Sequence, residues 1–391
     1  MAVNVIETPK QLLVPLKVQE RLLMGPGPSN AHPKILKACS QPILGHLDPR
    51  FCAIMDEVKM GLQYIWQTKN QHTFALSGTG HCGIETSIMN MTERGEKILI
   101  CVNGIWGERA SDMAERIGCD VRKIERPIGE VFSLEDIQKG IEEHRPGVVF
   151  ITHGESSGTT CQPLEGFGKL CHNNDCVLIV DSVASLGGSP LNVDDLEIDV
   201  VYSGSQKCLS APPGLSPISL SPRAWKKLLS RTTKVPSFYF DLTKIANYWG
   251  CDQGPRGYHH TGPVNSIYAL REALSLVVEE GLENFIARHK KCAELLQEGL
   301  EKMGFSFLVQ DKRHRLPSIT GVLIPQGVDA KKVSAFIGEK YSMDIPGGLG
   351  KSAGKIWRVG LMGVNCTKDN VNIVLKAFKD AMDNIKLQNN L

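Results

Sequence analysis

Between Gly147 and Lys207 the chain repeats one pattern three times: a short, mostly apolar, β-branched run that delivers one chemically loaded residue. Val148-Val149-Phe150-Ile151-Thr152 leads to Ser156, and Val177-Leu178-Ile179-Val180 leads to Asp181. Ile198-Asp199-Val200-Val201-Tyr202 leads through Ser203-Gly204-Ser205-Gln206 to Lys207. A half-exposed strand alternates apolar and polar residues. Continuous apolar runs divided by helix-length polar segments instead predict strands covered on both faces, an α/β architecture with a mostly parallel sheet. Ligands of such sheets sit at the carboxyl ends of the strands. Ser156, Asp181 and Lys207 are therefore expected to meet at one edge of one sheet.

Asp181 is the odd member of that set, because it follows four aliphatic residues directly. A poorly solvated carboxylate needs a partner, or it is driven neutral. Backbone amides after the strand would serve. So would the protonated ring nitrogen of pyridoxal phosphate, with a lysine at the neighbouring strand end forming the Schiff base to its aldehyde. A lysine after a strand is equally at home as a solvated surface residue, so this stretch leaves both readings open.

Composition narrows the class. A chain of 391 residues is long enough for about two domains with ample core. A formal charge of +2, with signs interspersed, argues against a nucleic-acid face or a membrane-surface patch. No apolar run approaches the roughly 18 residues of a membrane span. The 12 cysteines are scattered without a C-x-x-C pair, which suits a reducing compartment better than a disulfide framework, and no metal-ligand spacing stands out.

Residues 1 to about 22 lack periodicity and read as an arm, with neither a signal nor a transit pattern. Met24-Gly25-Pro26-Gly27-Pro28-Ser29-Asn30 follows, and its glycines and prolines forbid helix and let backbone approach a ligand. Ile43-Leu44-Gly45-His46 is a second turn, whose histidine is either a substrate contact or solvent-facing. Thr73 to Ser77 reads as a strand, and Gly78-Thr79-Gly80-His81-Cys82-Gly83 opens a helix after it. This matches G-x-G-x-x-G, the dinucleotide fingerprint. The next strand, Ile98 to Val102, ends at Asn103 and not at the acid that would hold a ribose hydroxyl. What survives is an anion cradle at a helix N-terminus. Gly350-Lys351-Ser352 imitates the end of a Walker A loop, but the glycine required five positions earlier is Ile345. Trp106, at the turn after Asn103, is either filler or a flat surface for a planar ligand.

Together these stretches carry a resemblance. Leu23 to Asn30, Asn103 to Gly107, Thr152 to Ser157, Asp181 to Gly188, Tyr202 to Lys207, Asn247 to Cys251 and Tyr258 to Thr261 are similar to the corresponding motifs of class V, fold-type I pyridoxal-phosphate aminotransferases. The likeness points within that family to the branch acting on alanine (or serine) and glyoxylate or pyruvate. It implies an arm over residues 1–22, and a large domain over 23–282 with a mostly parallel seven-stranded sheet. A smaller α+β domain would follow over 283–391. It implies Lys207 as the Schiff-base lysine and Asp181 at the pyridine nitrogen. Trp106 would stack on the ring and Ser156 would contact its polar edge, with Thr79, Gly80, His81 and Gln206 on the phosphate. Tyr258 and Thr261 would reach the phosphate of a neighbouring subunit, which makes the expected unit a homodimer. Gly27, Gly45, His46, Ser156 and Arg358 would line the substrate.

Arg358 is notable without any relative. It interrupts the apolar run Ile356-Trp357-Arg358-Val359-Gly360, where a basic residue needs an acid partner, either structural or a bound carboxylate. Strands are expected at Phe305–Val309, Ile319–Ile324 and Ile356–Gly360. Helices are expected at 266–281, 282–303, 329–340 and 368–385, the last capped by Thr367. The expected reaction is transamination of glyoxylate by alanine. The alternative is a 3-hydroxykynurenine transaminase, whose members have Ser-Asn-Phe where this chain has Gly45-His46-Leu47. A cysteine desulfurase would carry histidine where Gln206 precedes Lys207. The terminal Asn389-Asn390-Leu391 partly matches the Ser-Lys-Leu peroxisomal address, so the peroxisome is the expected location, with cytosol or mitochondrion as alternatives.

Overall fold

The computed structural model describes residues 6–389. Seven strands form one sheet: β1 (His72–Ser77), β2 (Lys97–Val102), β3 (Asp120–Glu125), β4 (Val148–Thr152), β5 (Val177–Asp181), β6 (Val200–Tyr202) and β7 (Leu215–Leu220). They lie side by side in the order β1-β7-β6-β5-β4-β2-β3. Every pair is parallel except those of β7, which runs antiparallel to β1 and β6. Every residue of β4, β5 and β6 is buried, as continuous apolar runs demand. The register sets Thr152, Asp181 and Tyr202 opposite one another, so three strands end level at the same edge.

β7 is the strand that its sequence hides. Leu-Ser-Pro-Ile-Ser-Leu carries a proline, which removes a ladder donor and argues against an interior strand. Its polar atoms are nevertheless satisfied: Ser216 Oγ donates to Ser203 O at 2.7 Å, and Ser219 Oγ shares a hydrogen bond with Thr73 Oγ1 at 2.8 Å. The Pro217 carbonyl accepts from Ser203 N at 2.9 Å.

Helices cover the sheet. α1 (Pro49–Trp66) starts from an Asp48 cap that accepts from Arg50 N, and has proline in its first turn. α2 (Gly80–Met91) is buried along nearly its whole length. α3 (Ile105–Ile117) follows β2 after a two-residue turn. α4 (Val264–Glu280) packs along α1, and Gly281 at φ 84° breaks the chain into α5 (Leu282–Lys302).

A second apolar cluster gathers around α5. β8 (Ile319–Leu323) pairs antiparallel with β9 (Ile356–Gly360), and Cys292, Leu296 and Leu300 of α5 join Trp357 and Val359 there. The last helix, α6 (Lys368–Asn389), contributes Val371, Val374 and Phe378. Phe305, Trp357 and Phe378 meet edge to face at 5.6–6.3 Å. Leu22–Leu23 pairs with Met343–Asp344, and Met24 is buried in the same cluster.

Two expectations need correction. Phe305–Val309 is not a strand: beside β8 it makes only the Phe307–Val322 bridge and two flanking hydrogen bonds, because the chain turns away at Asp311. α6 does not end near Ile385 but continues through Asn389. Thr367 caps it as expected, accepting from Asn370 N at 3.1 Å. Asn390 and Leu391, and with them most of the C-terminal tripeptide, lie outside the described residues.

Candidate active site

The level ends of β4, β5 and β6, with the N-terminus of α2, enclose a cavity of about 200 Å³. It is lined by Thr79, Gly80, His81, Trp106, Ser156, Asp181, Gln206 and Lys207 among others. Eight residues singled out from scattered stretches of sequence thus line one cavity.

Lys207 reaches the cavity across the Gly-Pro turn. Gly27, at φ 105°, faces its side chain so closely that a Cβ would come within 2.6 Å of Lys207 Cδ and Nζ. The Nζ donates to Pro26 O. Ser29 binds the lysine's backbone from the same turn, through Ser29 Oγ to Lys207 O at 3.0 Å. Burial, then the Arg358 charge, pushes the Lys207 amine down to about 8. The neutral, nucleophilic form, negligible for an ordinary lysine, is therefore an appreciable minority near physiological pH.

Asp181 is 2 % exposed. Its Oδ1 accepts from Val183 N at 2.8 Å, and burial pushes its carboxyl up to about 6. The Tyr202 hydroxyl lies close enough to oppose that rise, although it is buried without a partner in bonding geometry. The carboxylate therefore calls for a cation inside the cavity.

Trp106, in the first turn of α3, is fixed by its indole Nε1, which donates to Ser156 Oγ at 2.7 Å. At the other end of the cavity the α2 N-terminus is open, because Thr79 at the cap position makes no side-chain bond to its own helix. Gln206 Oε1 is buried with no partner. His81 lies against Arg109, and burial followed by that charge lowers its pKa.

Arg358 approaches from β9. It is 8 % exposed, and its guanidinium finds only carbonyls: Nε donates to Gly347 O at 2.9 Å and Nη1 to Ser156 O at 3.4 Å. No carboxylate bonds to it among the described residues. The remaining edge of a planar fork is left for an anion beside Ser156.

Four expected residues lie elsewhere. Gly45, His46 and Thr261 line a separate surface hollow, and Tyr258, 61 % exposed, stands beside it with its ring 5.0 Å from that of His46. Sequence reasoning also missed several residues. Val183, two positions past Asp181, lines the cavity and faces Gly80, where a Cβ would approach it to 3.0 Å. Glu155, wholly buried behind Trp106, was passed over inside its own motif. Its signal was available: an acid directly before the strand-end serine, in a turn that has to be dry.

These groups fit pyridoxal phosphate. The open helix end suits its phosphate, the dry Asp181 its protonated ring nitrogen, and Trp106 its flat face. Lys207 suits its aldehyde.

The Aminotransferase class-V family matches residues 33–372. The chain is 47% identical over 377 residues to an alanine–glyoxylate aminotransferase of Callithrix jacchus, covering 96% of this chain and 91% of that one. It is 44% identical to the Drosophila melanogaster enzyme of the same name, covering 98% of both. A crystal structure of alanine–glyoxylate aminotransferase from Nostoc sp. superposes with a TM-score of 0.94 at 48% identity, over 97% of this chain and 100% of that one.

Proposed function

The chain belongs to the class-V aminotransferases, and on that premise we propose that it transfers the amino group of alanine to glyoxylate, giving pyruvate and glycine. The observation that carries the reading is Arg358, a buried guanidinium with carbonyl partners only, one of them the Ser156 carbonyl at the cavity. It is a seat for the α-carboxylate that every donor and acceptor of this reaction possesses.

Pyridoxal phosphate, when bound, supplies the aldehyde that accepts and returns the amino group and the ring that takes up the electrons left at Cα. The protein does the rest. Arg358 fixes the substrate carboxylate. Lys207, its amine shifted toward the neutral form by burial, removes the Cα proton and returns it on the other side of the transfer. Asp181 holds a proton on the ring nitrogen, and that contact reverses the desolvation that raises its own pKa. Trp106, tied to Ser156, closes one wall of the cavity. One cavity serves both substrates in turn, so the kinetics are ping-pong.

The outward pair Tyr258 and Thr261, whose hydroxyls lie 3.4 Å apart, has no place in its own subunit's cavity. In this reading a second copy of the chain receives them at its phosphate end. His46 and Gly45, in the adjoining hollow, complete the substrate's surroundings, and the working unit is a homodimer. Sedimentation should give a dimer, and Tyr258→Ala should weaken cofactor binding while the dimer persists. Glyoxylate consumption also motivates the peroxisome as the location and glyoxylate removal, with glycine production, as the role. A fluorescent protein carrying the last ten or so residues, compared with full-length enzyme tagged at its N-terminus, tests the location. Diffuse signal from both ends that reading.

The deciding experiment is a panel with purified enzyme, in which alanine, serine and 3-hydroxykynurenine are each offered with glyoxylate and pyruvate. The highest kcat/KM should belong to alanine with glyoxylate. A kynurenine preference would overturn the substrate assignment and leave the chemistry standing.

A further inference from the structure

Glu155 is the one fully buried acid at the site to which the mechanism gives no task. It lies in the turn between β4 and Ser156 at 0 % exposure, and its carboxylate binds two elements at once. Oε1 accepts from Ser157 N at 2.8 Å and from Ser157 Oγ at 2.6 Å. Oε2 accepts from Trp106 N at 3.2 Å. Ser157 Oγ in turn accepts from Ile105 N at 3.0 Å. Glu155 and Ser157 together therefore receive the first two amide N–H groups of α3, the helix whose own cap residue, Gly104, has no side chain to do so.

Gly104 is a glycine for the same reason, since a Cβ there would overlap the Glu155 carboxyl. Trp106 is the second residue of that helix. Its indole is held to Ser156 from one side, and its backbone is held to Glu155 from the other.

We propose that Glu155 is a positioning residue that clamps the start of α3 to the β4 strand end and thereby sets the plane of Trp106. The inference rests on the pyridoxal-phosphate reading of the cavity.

The charge is finely held. Burial pushes the Glu155 carboxyl up to about 7, the Ser157 and Trp106 bonds oppose that rise, and Asp181 adds to it. The other groups facing it are Arg358, which its charge favours in the protonated form, and Tyr202. Below about pH 7 the carboxyl takes up a proton and loses an acceptor, so the clamp loosens as pH falls.

The test compares wild type with Glu155→Gln. Glutamine keeps the volume but turns one acceptor into a donor, so either Trp106 N or Ser157 N must face an N–H. Cofactor affinity and cofactor-induced quenching of tryptophan emission are measured with pyridoxal phosphate itself, and Trp106→Phe identifies the part of the quenching that belongs to Trp106.

Glu155→Gln is expected to weaken cofactor binding about 10-fold or more, to shrink the Trp106 part of the quenching, and to lower kcat more than it raises KM for alanine. The near-neutral inflection in cofactor affinity against pH should disappear. Glu155→Asp, which keeps the charge, should restore that inflection in part. Ser157→Ala, which is far less threatening to folding, should shift affinity and quenching in the same direction by a smaller factor.

Unchanged affinity, quenching and pH profile in either Glu155→Gln or Ser157→Ala, with only a lower melting temperature, would overturn the proposal. If wild type itself fails to bind the cofactor, it is the reading of the cavity that has failed.

Discussion

The aromatic cluster of Phe305, Trp357 and Phe378 is dry, the strand-end group of Ser156, Asp181, Gln206 and Lys207 is dry at its first two members and half-buried at the others, and the two are built on opposite rules. In the first, three large rings meet edge to face around one indole, whose N–H still finds the Ala330 carbonyl at 3.2 Å. Nothing there wants a further partner. In the second, an amine and a carboxyl are each displaced from their ordinary pKa toward neutrality, and an amide oxygen is left unpaired. The two meet on one strand: β9 sends Trp357 into the aromatic cluster and the next residue, Arg358, to the Ser156 carbonyl. The first region shows where this protein gains stability, and the second where it gives some up to hold a ligand.

The sharpest way to separate the two is Lys207→Ala. Turnover should fall at least about 10³-fold, since both the nucleophile and the proton carrier go, while the melting temperature of the cofactor-free protein holds or rises. Residual turnover near that of wild type would remove Lys207 from the chemistry. The converse change, Trp357→Ala, should cost about 3–5 kcal/mol in denaturant unfolding, and the fraction that remains folded should retain the wild-type KM for alanine. A raised KM in that fraction would mean that the two faces of β9 are not independent.

Asp181→Asn should do opposite things to the two properties. Turnover should drop on the order of 10²-fold, because each roughly 1.4 kcal/mol of lost transition-state stabilisation is tenfold. Unfolding of the cofactor-free protein should become harder, because the folded-state carboxyl pKa is raised to about 6 and ionisation disfavours the fold. That penalty is fully present above the folded pKa and absent below the ordinary carboxylate value. The gain should therefore be roughly 2–3 kcal/mol at pH 8 and vanish near pH 4. A gain that is independent of pH would mean that shape and not charge is responsible. The smallest expected effect is that of Arg358→Lys, which keeps the charge and loses the fork. KM for alanine should rise about 10-fold with a smaller change in kcat.

How much of this was legible in the sequence follows from the same contrast. β4, β5 and β6 announced themselves because a strand buried on both faces has no room for polar residues, and Asp181 and Lys207 stood out against them. Arg358 was legible for the same reason, as a cation in an apolar run. β7 was hidden because its burial is secured by serine hydroxyls bonded to partners far away in sequence, which no local pattern records. Glu155 and Val183 sat inside motifs that were noticed for their neighbours. Their roles come from what α3 and Gly80 bring against them. Phe305–Val309 had the residues of a strand but only one residue in bridging register.

The pairing of Leu22–Leu23 with Met343–Asp344, and of the Met24 carbonyl with Gly360 N, has a consequence for the order of events during synthesis. The earlier segment finds its partners only when a stretch about 320 residues later has emerged from the ribosome, tens of seconds afterwards at roughly 5–20 residues per second. The Gly-Pro turn that seats Lys207 continues directly from that segment. A nascent chain can thus complete its seven-stranded sheet while the lysine still lacks its seat, and the enzyme becomes competent for its cofactor in one late step, when these two distant segments close on each other.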